Sequence, residues 1–326
     1  MNVRDLVRVL SDGQFHSGEQ LGEMFGVSRT AIWKQLQKLE ALGITIEAVR
    51  GRGYRVARPM ELLDGGRIVA DLPRDARQQL SRLFVESQLE STNTFLLERF
   101  AQGAGHAEVC VAEVQTAGRG RRGRSWHGSW GAGIHFSLGW CFESGVAAIE
   151  GLSLAIGVSM AELLQTFGVD ILLKWPNDLL VEHHGEIHKL GGILTEVRGD
   201  MEGPCEVVIG IGLNVAFGEA DRQRLEQSAA GLHELVPGLS RNALISSMID
   251  ELMALLPRFE RQGFGAWQAD WNARHYYTNR AVVLQQGSRY WEGIAQGVNE
   301  QGNLAVRIDD REVIFSGGEI SLRASG

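Results

Sequence analysis

The chain of 326 residues has little lysine, cysteine or proline. Four of its 32 basic residues are lysines, Lys34, Lys38, Lys174 and Lys189, and arginine supplies the rest. Three cysteines, Cys110, Cys141 and Cys205, lie far apart without the paired spacing of a metal site. That excludes a disulfide framework and leaves reduced, structural thiols. No apolar run approaches the ~20 residues that span a bilayer, and Met1-Asn2-Val3-Arg4-Asp5 lacks the apolar core of a signal peptide. No membrane partner and a cytoplasmic location are therefore expected. A Gly-x-Ser-x-Gly elbow and a persuasive Cys/His pair are both missing. Internal repeats and low-complexity tracts are missing too.

The length, with 44% hydrophobic residues, suits two or three domains with separate cores. Charge is divided unevenly. Residues 1–58 carry nine Lys or Arg and six Asp or Glu, a balance of +3, so the net charge of −8 leaves the remainder at −11. A basic head on an acidic body points to DNA at the head.

The head reads as three helices and a hairpin. Val3, Leu6, Val7 and Leu10 have helical spacing. Ser17 and Gln20 form a capping box for a second helix with Leu21, Met24 and Phe25 on its apolar face, and Gly26 permits a tight turn. Ser28 caps a third helix whose Ile32, Leu36 and Leu39 share one face while Thr30, Lys34 and Gln37 share the opposite one. Helix–turn–helix of this form places the second helix in a major groove. Ile44-Thr45-Ile46 and Tyr54-Arg55-Val56, joined through Arg50-Gly51-Arg52-Gly53, read as a wing with arginines at its tip. The DNA-facing set is therefore Ser28, Arg29, Thr30, Trp33, Lys34, Gln37, Arg50 and Arg52.

Beyond Arg58 the pattern mixes strands and helices. Val109–Ala112 reads as a buried strand and Ile134–Leu138 as a half-exposed one. Ile171–Trp175, Gly192–Val197 and Val207–Asn214 are further strands. Thr94–Phe100, Ser153–Phe167 and Arg241–Phe259 read as helices, with helices expected on one side of the sheet. Short strands between residues 280 and 323 suggest a small SH3-like β-barrel. The whole is α+β and multidomain: a winged helix-turn-helix over 1–60, a catalytic domain with a mixed or antiparallel sheet over 61–275, and the barrel over 276–326.

One stretch stands out, Gln115-Thr116-Ala117-Gly118-Arg119-Gly120-Arg121-Arg122-Gly123-Arg124-Ser125-Trp126. A charge run is by default a solvated face. Here glycines that allow close backbone approach alternate with arginines whose forked donors match phosphate or carboxylate, and an aromatic anchors the end. An anion site is expected. His183, His184 and His188 flank Gly185 in a polar stretch that reads as a hairpin turn, and no protein-held metal is expected there.

The segment Gly118 to Gly123, followed by Arg124 and Trp126, resembles the biotin-binding loop of biotin protein ligases. Ser91-Thr92-Asn93, Lys174-Trp175-Pro176-Asn177-Asp178, Lys189-Leu190-Gly191-Gly192-Ile193-Leu194 and Gly210-Ile211-Gly212-Leu213-Asn214 resemble the family's other motifs, in its order. With the head included, the whole chain is similar to bifunctional biotin ligase–repressors. Ser125 and Gly192 depart from the pattern, where lysine and alanine are common.

The resemblance implies adenylation. The biotin carboxylate attacks the α-phosphorus of MgATP, and the resulting biotinyl-5'-AMP then acylates a lysine of the biotin carboxyl carrier protein of acetyl-CoA carboxylase. It implies Ser91, Thr92, Asn93, Gln115, Gly118, Arg119, Gly120, Arg121 and Lys189 around biotin, with Lys189, Arg121 and Arg119 catalytic. It implies Arg121, Arg124, Trp126, Lys174, Asn177, Asp178, Lys189, Asn214 and Arg323 around the nucleotide, with Asp178 setting the site's geometry beside any share in Mg²⁺ binding. It also implies that the adenylate, as corepressor, promotes a homodimer on operator DNA. A lipoate or octanoate ligase would want an elongated apolar channel instead of this loop, and a transcription factor that only senses biotin would have no use for Lys189.

Overall fold

The computed structural model describes residues 3–58, 60–217 and 228–316, and the backbone of 320–324. In the head, α1 (Val3–Leu10), α2 (Gly18–Phe25) and α3 (Arg29–Ala41) precede an antiparallel pair, β1 (Ile46–Val49) and β2 (Gly53–Val56). The capping box forms as expected: Ser17 Oγ accepts from Gln20 N at 3.1 Å and Gln20 Oε1 from Ser17 N at 2.8 Å. Leu6, Val7, Leu10, Leu21, Ile32, Leu36 and Leu39 are buried together.

Two expectations for the head are corrected. Met24 is 57% exposed, because α2 presses Gly22 against the turn, where an added Cβ would lie 2.8 Å from Val27 O. The wing strand starts at Ile46 because Ile44 completes the end of α3: Gly43 turns left-handed (φ 84°) and Ile44 N donates back to Leu39 O at 3.0 Å.

The central unit is a seven-stranded sheet in the order β3-β4-β5-β9-β8-β7-β6. Its strands are β3 (Arg82–Glu86), β4 (Glu108–Ala112), β5 (Gly133–Phe142), β6 (Leu172–Lys174), β7 (Asp178–His183), β8 (Glu186–Gly199) and β9 (Cys205–Asn214). Two short helices, α4 (Gly65–Asp71) and α5 (Arg74–Gln79), precede β3, and among the described strands of this sheet only β3 and β4 pair in parallel, with α6 (Thr92–Ala101) as their crossover. Alternation along the strands sends Val109, Val111, Val207 and Ile209 into the main core and Cys110 and Val208 into a smaller core with Leu96 and Phe100 of α6. Helices therefore cover both faces, not one. For the same reason β5, expected half-exposed, is buried along nearly its whole length.

The helix α7 (Leu152–Thr166) lies deep in the main core beside α8 (Arg241–Gln262), with Ala155, Ile156, Val158, Met160 and Leu164 among its buried residues. The segment Val146–Thr166 is long and apolar enough to cross a membrane, contrary to the sequence reading, and its most apolar window is 56% buried within the fold. A helix apolar on all sides is what a core-spanning position demands.

Leu62 and Leu63, which lead from the head into the central unit, are clamped. Arg241 pairs with Glu113 at 2.7 Å, both side chains buried, and Arg241 also donates to Glu61 O and Gly133 O. Leu63 N donates to Glu113 Oε1 at 2.7 Å, and Asn242 Nδ2 to Leu62 O at 2.9 Å. These bonds satisfy a buried charge pair that would be costly alone.

Five antiparallel strands end the chain: β10 (Ala281–Gln286), β11 (Arg289–Val298), β12 (Leu304–Ile308), β13 (Arg311–Phe315) and β14 (Ile320–Ala324), in the order β13-β12-β11-β10-β14. Val282, Leu284, Leu304 and Val306 join the main core, and Trp175 Nε1 donates to Gly302 O at 3.1 Å.

Candidate functional site

The motif residues meet on the face of the sheet that carries α6. Ser91 caps α6, its hydroxyl accepting from Thr94 N. Thr92 donates to Gln115 Oε1 twice, from its backbone N at 2.8 Å and its hydroxyl at 3.1 Å. Both acceptor positions of Gln115 are thereby occupied, and its amide Nε2 turns to His135 Nδ1 at 3.4 Å. Ser137 shares its one hydroxyl proton between Thr92 Oγ1, at 2.7 Å, and Asn93 Oδ1. This is a rigid, neutral hydrogen-bonding floor.

The arginine–glycine loop is a tight hairpin. Trp126 N donates to Gly118 O at 2.8 Å and Gly120 N to Arg124 O at 2.7 Å. Gly118 is required, since a Cβ there would lie 2.4 Å from Trp126 O. Arg121 opens a 3-10 turn over Arg121–Gly123 and is half-buried. Burial lowers its pKa, opposed by the Asp178 carboxylate and reinforced by Arg122. A guanidinium remains charged regardless. Arg119, expected to meet carboxylate or phosphate, instead donates to Glu196 Oε2 at 3.0 Å and Thr94 Oγ1 at 3.1 Å. Glu196 is held ready by Asn93 Nδ2 at 2.8 Å, so the nearest anion for Arg119 belongs to the protein. The Arg124 side chain is exposed, and Gly120 carries the backbone rung.

Lys189 is aimed by a bulge. Leu179 pairs with Gly191 but Leu180 with Lys189, and the extra residue, Leu190, reorients the strand. Lys189 Nζ lies 2.6 Å from Asp178 Oδ1, and Lys174 Nζ is 3.9 Å from Asp178 Oδ2. Asn214 Nδ2 donates to Lys189 O at 3.2 Å and Asn177 Nδ2 to Ile193 O at 2.9 Å, so both asparagines fix backbone around the lysine. The Trp126 indole lies over Gly212, with Lys189 Nζ 5.7 Å from its ring centre. Arg323 is placed by its backbone opposite Val283, and its side chain lies outside the described residues.

His135 and Ser137 were not foreseen. They alternate with Ile134, Phe136 and Leu138 and face the site, a period-two polar signal visible in the sequence. Burial lowers the pKa of His135 to about 4, helped by Arg241, so the ring is neutral. Among the described residues no group of three His, Cys, Asp or Glu could hold a metal ion.

In the head, Ser28, Arg29, Thr30, Trp33, Lys34, Gln37, Arg50 and Arg52 are all exposed. Ser28 Oγ caps α3 by accepting from Ala31 N at 3.2 Å, and Arg52 stacks on Phe15 at 4.3 Å. Of the four lysines, Lys34 and Lys38 are exposed on α3, while Lys174 and Lys189 are half-buried at the site. The head also touches the segment that follows the arginine–glycine loop: Trp130 is buried in the head's core and Ser129 Oγ lies 2.7 Å from a Cβ placed on Gly43.

A family model described as the biotin/lipoate A/B protein ligase family matches residues 84–214, an HTH domain model matches 2–55, and a biotin protein ligase C-terminal domain model matches 277–323. Head, site and final sheet thus define a biotin/lipoate-type protein ligase that carries a DNA-binding module. The bifunctional ligase/repressor BirA of Escherichia coli (strain K12) is 39% identical over 321 residues, covering 98% of this chain and 97% of the relative. That of Bacillus subtilis (strain 168) is 34% identical over 322 residues, covering 94% of each. A biotin protein ligase from Aquifex aeolicus in complex with biotin and ATP superposes with a TM-score of 0.62 at 25% identity, over 75% of this chain and 100% of that one. The chain belongs to the bifunctional ligase/repressor family.

Proposed function

We infer that this chain ligates biotin to a lysine of a biotin carboxyl carrier protein through biotinyl-5'-AMP, and that with the adenylate bound it represses genes from an operator. The observation that carries the ligase reading is Lys189, set by its bulge beside Asp178 and next to Trp126, at the edge of the Thr92–Gln115–Ser137 floor. That arrangement suits an uncharged ring at one end and a carboxylate meeting a phosphate at the other.

Ser91, Thr92, Asn93, Gln115 and Gly118 hold the ureido ring. Because Thr92 saturates Gln115 Oε1 and His135 takes one amide N–H, the amide offers its second N–H, the complement of a ureido carbonyl. A biotin carboxylate oxygen bonds to the α-phosphorus as the bond to pyrophosphate breaks. Lys189 and Arg121 stabilise the charge that collects there. The acceptor amine then attacks the biotinyl carbonyl, AMP leaves and the amine gives up a proton. Trp126 packs on adenine, Lys174, Asn177, Asp178, Asn214 and Arg124 surround the nucleotide, and Arg323 approaches it. ATP enters as its Mg²⁺ complex, and Asp178 is the carboxylate of the site that fits an ion otherwise held by phosphates and water. Arg119 serves as a latch, tying the loop to Glu196.

The working boundaries are 1–60, 61–275 and 276–326, and ATP with operator DNA as partners puts the protein in the cytoplasm. The DNA-facing residues of α3 and the wing read one half-site, so a homodimer is required for useful affinity. Incubation with biotin, MgATP and a biotin-acceptor domain, read by mass, tests the ligase. An acceptor that gains no biotin refutes it.

A further inference from the structure

A cavity of about 460 Å³ opens beside the Lys189–Asp178 pair. Lys174, Asp178 and Lys189 line it from the central sheet, and Tyr276, Tyr277 and Arg280 from the chain that leads into β10. Its three cations and one carboxylate give a net of +2 within residues 59–326, whose balance is −11. Such a concentration of positive charge in an acidic body marks a place for an anion.

Arg280 is fixed by backbone. Tyr276 N donates to Leu173 O at 2.9 Å, Asn279 turns left-handed (φ 60°) with its N donating to Ala295 O at 2.8 Å, and Ala295 N donates back to Arg280 O at 3.1 Å. The guanidinium stacks 4.2 Å from the Tyr276 ring centre. Among the described residues no carboxylate pairs with it, whereas Lys174 and Lys189 share Asp178. Among the cavity's cations, the charge with no carboxylate of the described residues beside it is that of Arg280.

We propose that Arg280, with Lys174, binds the two outer phosphates of ATP and holds pyrophosphate as it leaves. This rests on the adenylation reading above. The carboxylate oxygen forms its bond to the α-phosphorus, the bond from that phosphorus to the bridging oxygen breaks, and the electron pair departs on the pyrophosphate. A forked cation at that end stabilises the departing charge and, in reverse, captures pyrophosphate. The second half-reaction has no such anion, so Arg280 belongs to the first half alone.

The test splits the halves in Arg280→Gln and Arg280→Lys. Biotin-dependent pyrophosphate–ATP exchange gives KM for ATP and pyrophosphate, and single-turnover transfer from preformed biotinyl-5'-AMP to an acceptor domain gives the second half. In Arg280→Gln both KM values should rise about tenfold, the size of one charge-assisted hydrogen bond, with transfer at the wild-type rate. Arg280→Lys should recover most of the loss. Should Arg280→Gln fail to fold, pyrophosphate protection of wild-type Arg280 from an arginine-specific dicarbonyl reports the same contact. Unchanged KM values, slowed transfer in place of slowed exchange, an equal fall in both halves, or no protection each overturn the assignment. Slowed transfer would give the cavity to the acceptor protein. Wild-type protein without biotin-dependent exchange would instead sink the ligase reading itself.

Discussion

The indole of Trp126 fills the space a side chain at Gly212 would need: a Cβ added to Gly212 would lie 2.5 Å from Trp126 Cε2. Gly212→Ala should push the indole out of place. The displacement costs about 1–3 kcal/mol, so KM for ATP should rise about fivefold or more while KM for biotin moves less than about twofold. Gly192→Ala is the control, because its added Cβ would meet its nearest neighbours at an ordinary 3.6 Å. The steady-state constants of the two variants decide this, and equal behaviour would refute it.

Lys189→Gln removes the positive charge from the reacting centre and leaves Asp178 without its 2.6 Å partner. Loss of one such donor costs about 3 kcal/mol, a fall of roughly two orders of magnitude in the rate of adenylate formation. Thermal melting should show the fold intact. Wild-type turnover in a folded variant would remove Lys189 from the mechanism.

Two histidines set an acid limit on stability. Burial lowers the pKa of His135 to about 4, with Arg241 adding to it, and burial lowers that of His275 to about 3. Both are depressed below the ordinary value near 6.5, so below that pH the unfolded chain binds protons that the folded chain refuses. Stability is therefore full above about pH 6.5 and falls as pH drops toward 4, by about 2 kcal/mol per histidine at pH 5. Urea midpoints at pH 7.5 and pH 5 measure it, and a flat profile contradicts it.

The motifs were legible because each joins residues that are close in the chain: Ser91 to Asn93, Gly118 to Trp126, Lys174 to Asp178. What escaped were partners supplied from a distance. Glu196, 77 residues from Arg119, takes the arginine expected on a ligand. His135 and Ser137 read as the exposed side of a strand because alternation tells which residues share a face, not whether that face is covered. Met24 was misjudged for a similar reason, since helical spacing cannot show that a glycine at position 22 makes the closer approach.

The coupling of the two activities makes a linked prediction. If adenylate promotes the homodimer, biotin with MgATP should raise both the sedimenting dimer fraction and operator affinity, and operator DNA should slow adenylate release by the same factor. The acceptor domain should oppose all three. Sedimentation and operator binding at one salt concentration supply the comparison, and quantities that ignore the adenylate refute the link.

The placement of the lysines has a chemical corollary. The two beside the bulge are half-buried and share Asp178, so among the described side chains the exposed amines are Lys34 and Lys38, both on α3 of the HTH domain. Amine-directed reagents, and any acyl group that escapes the site, will mark that helix first. Resin coupled through amines would then hold the protein by α3 and leave the candidate ligase site facing solvent.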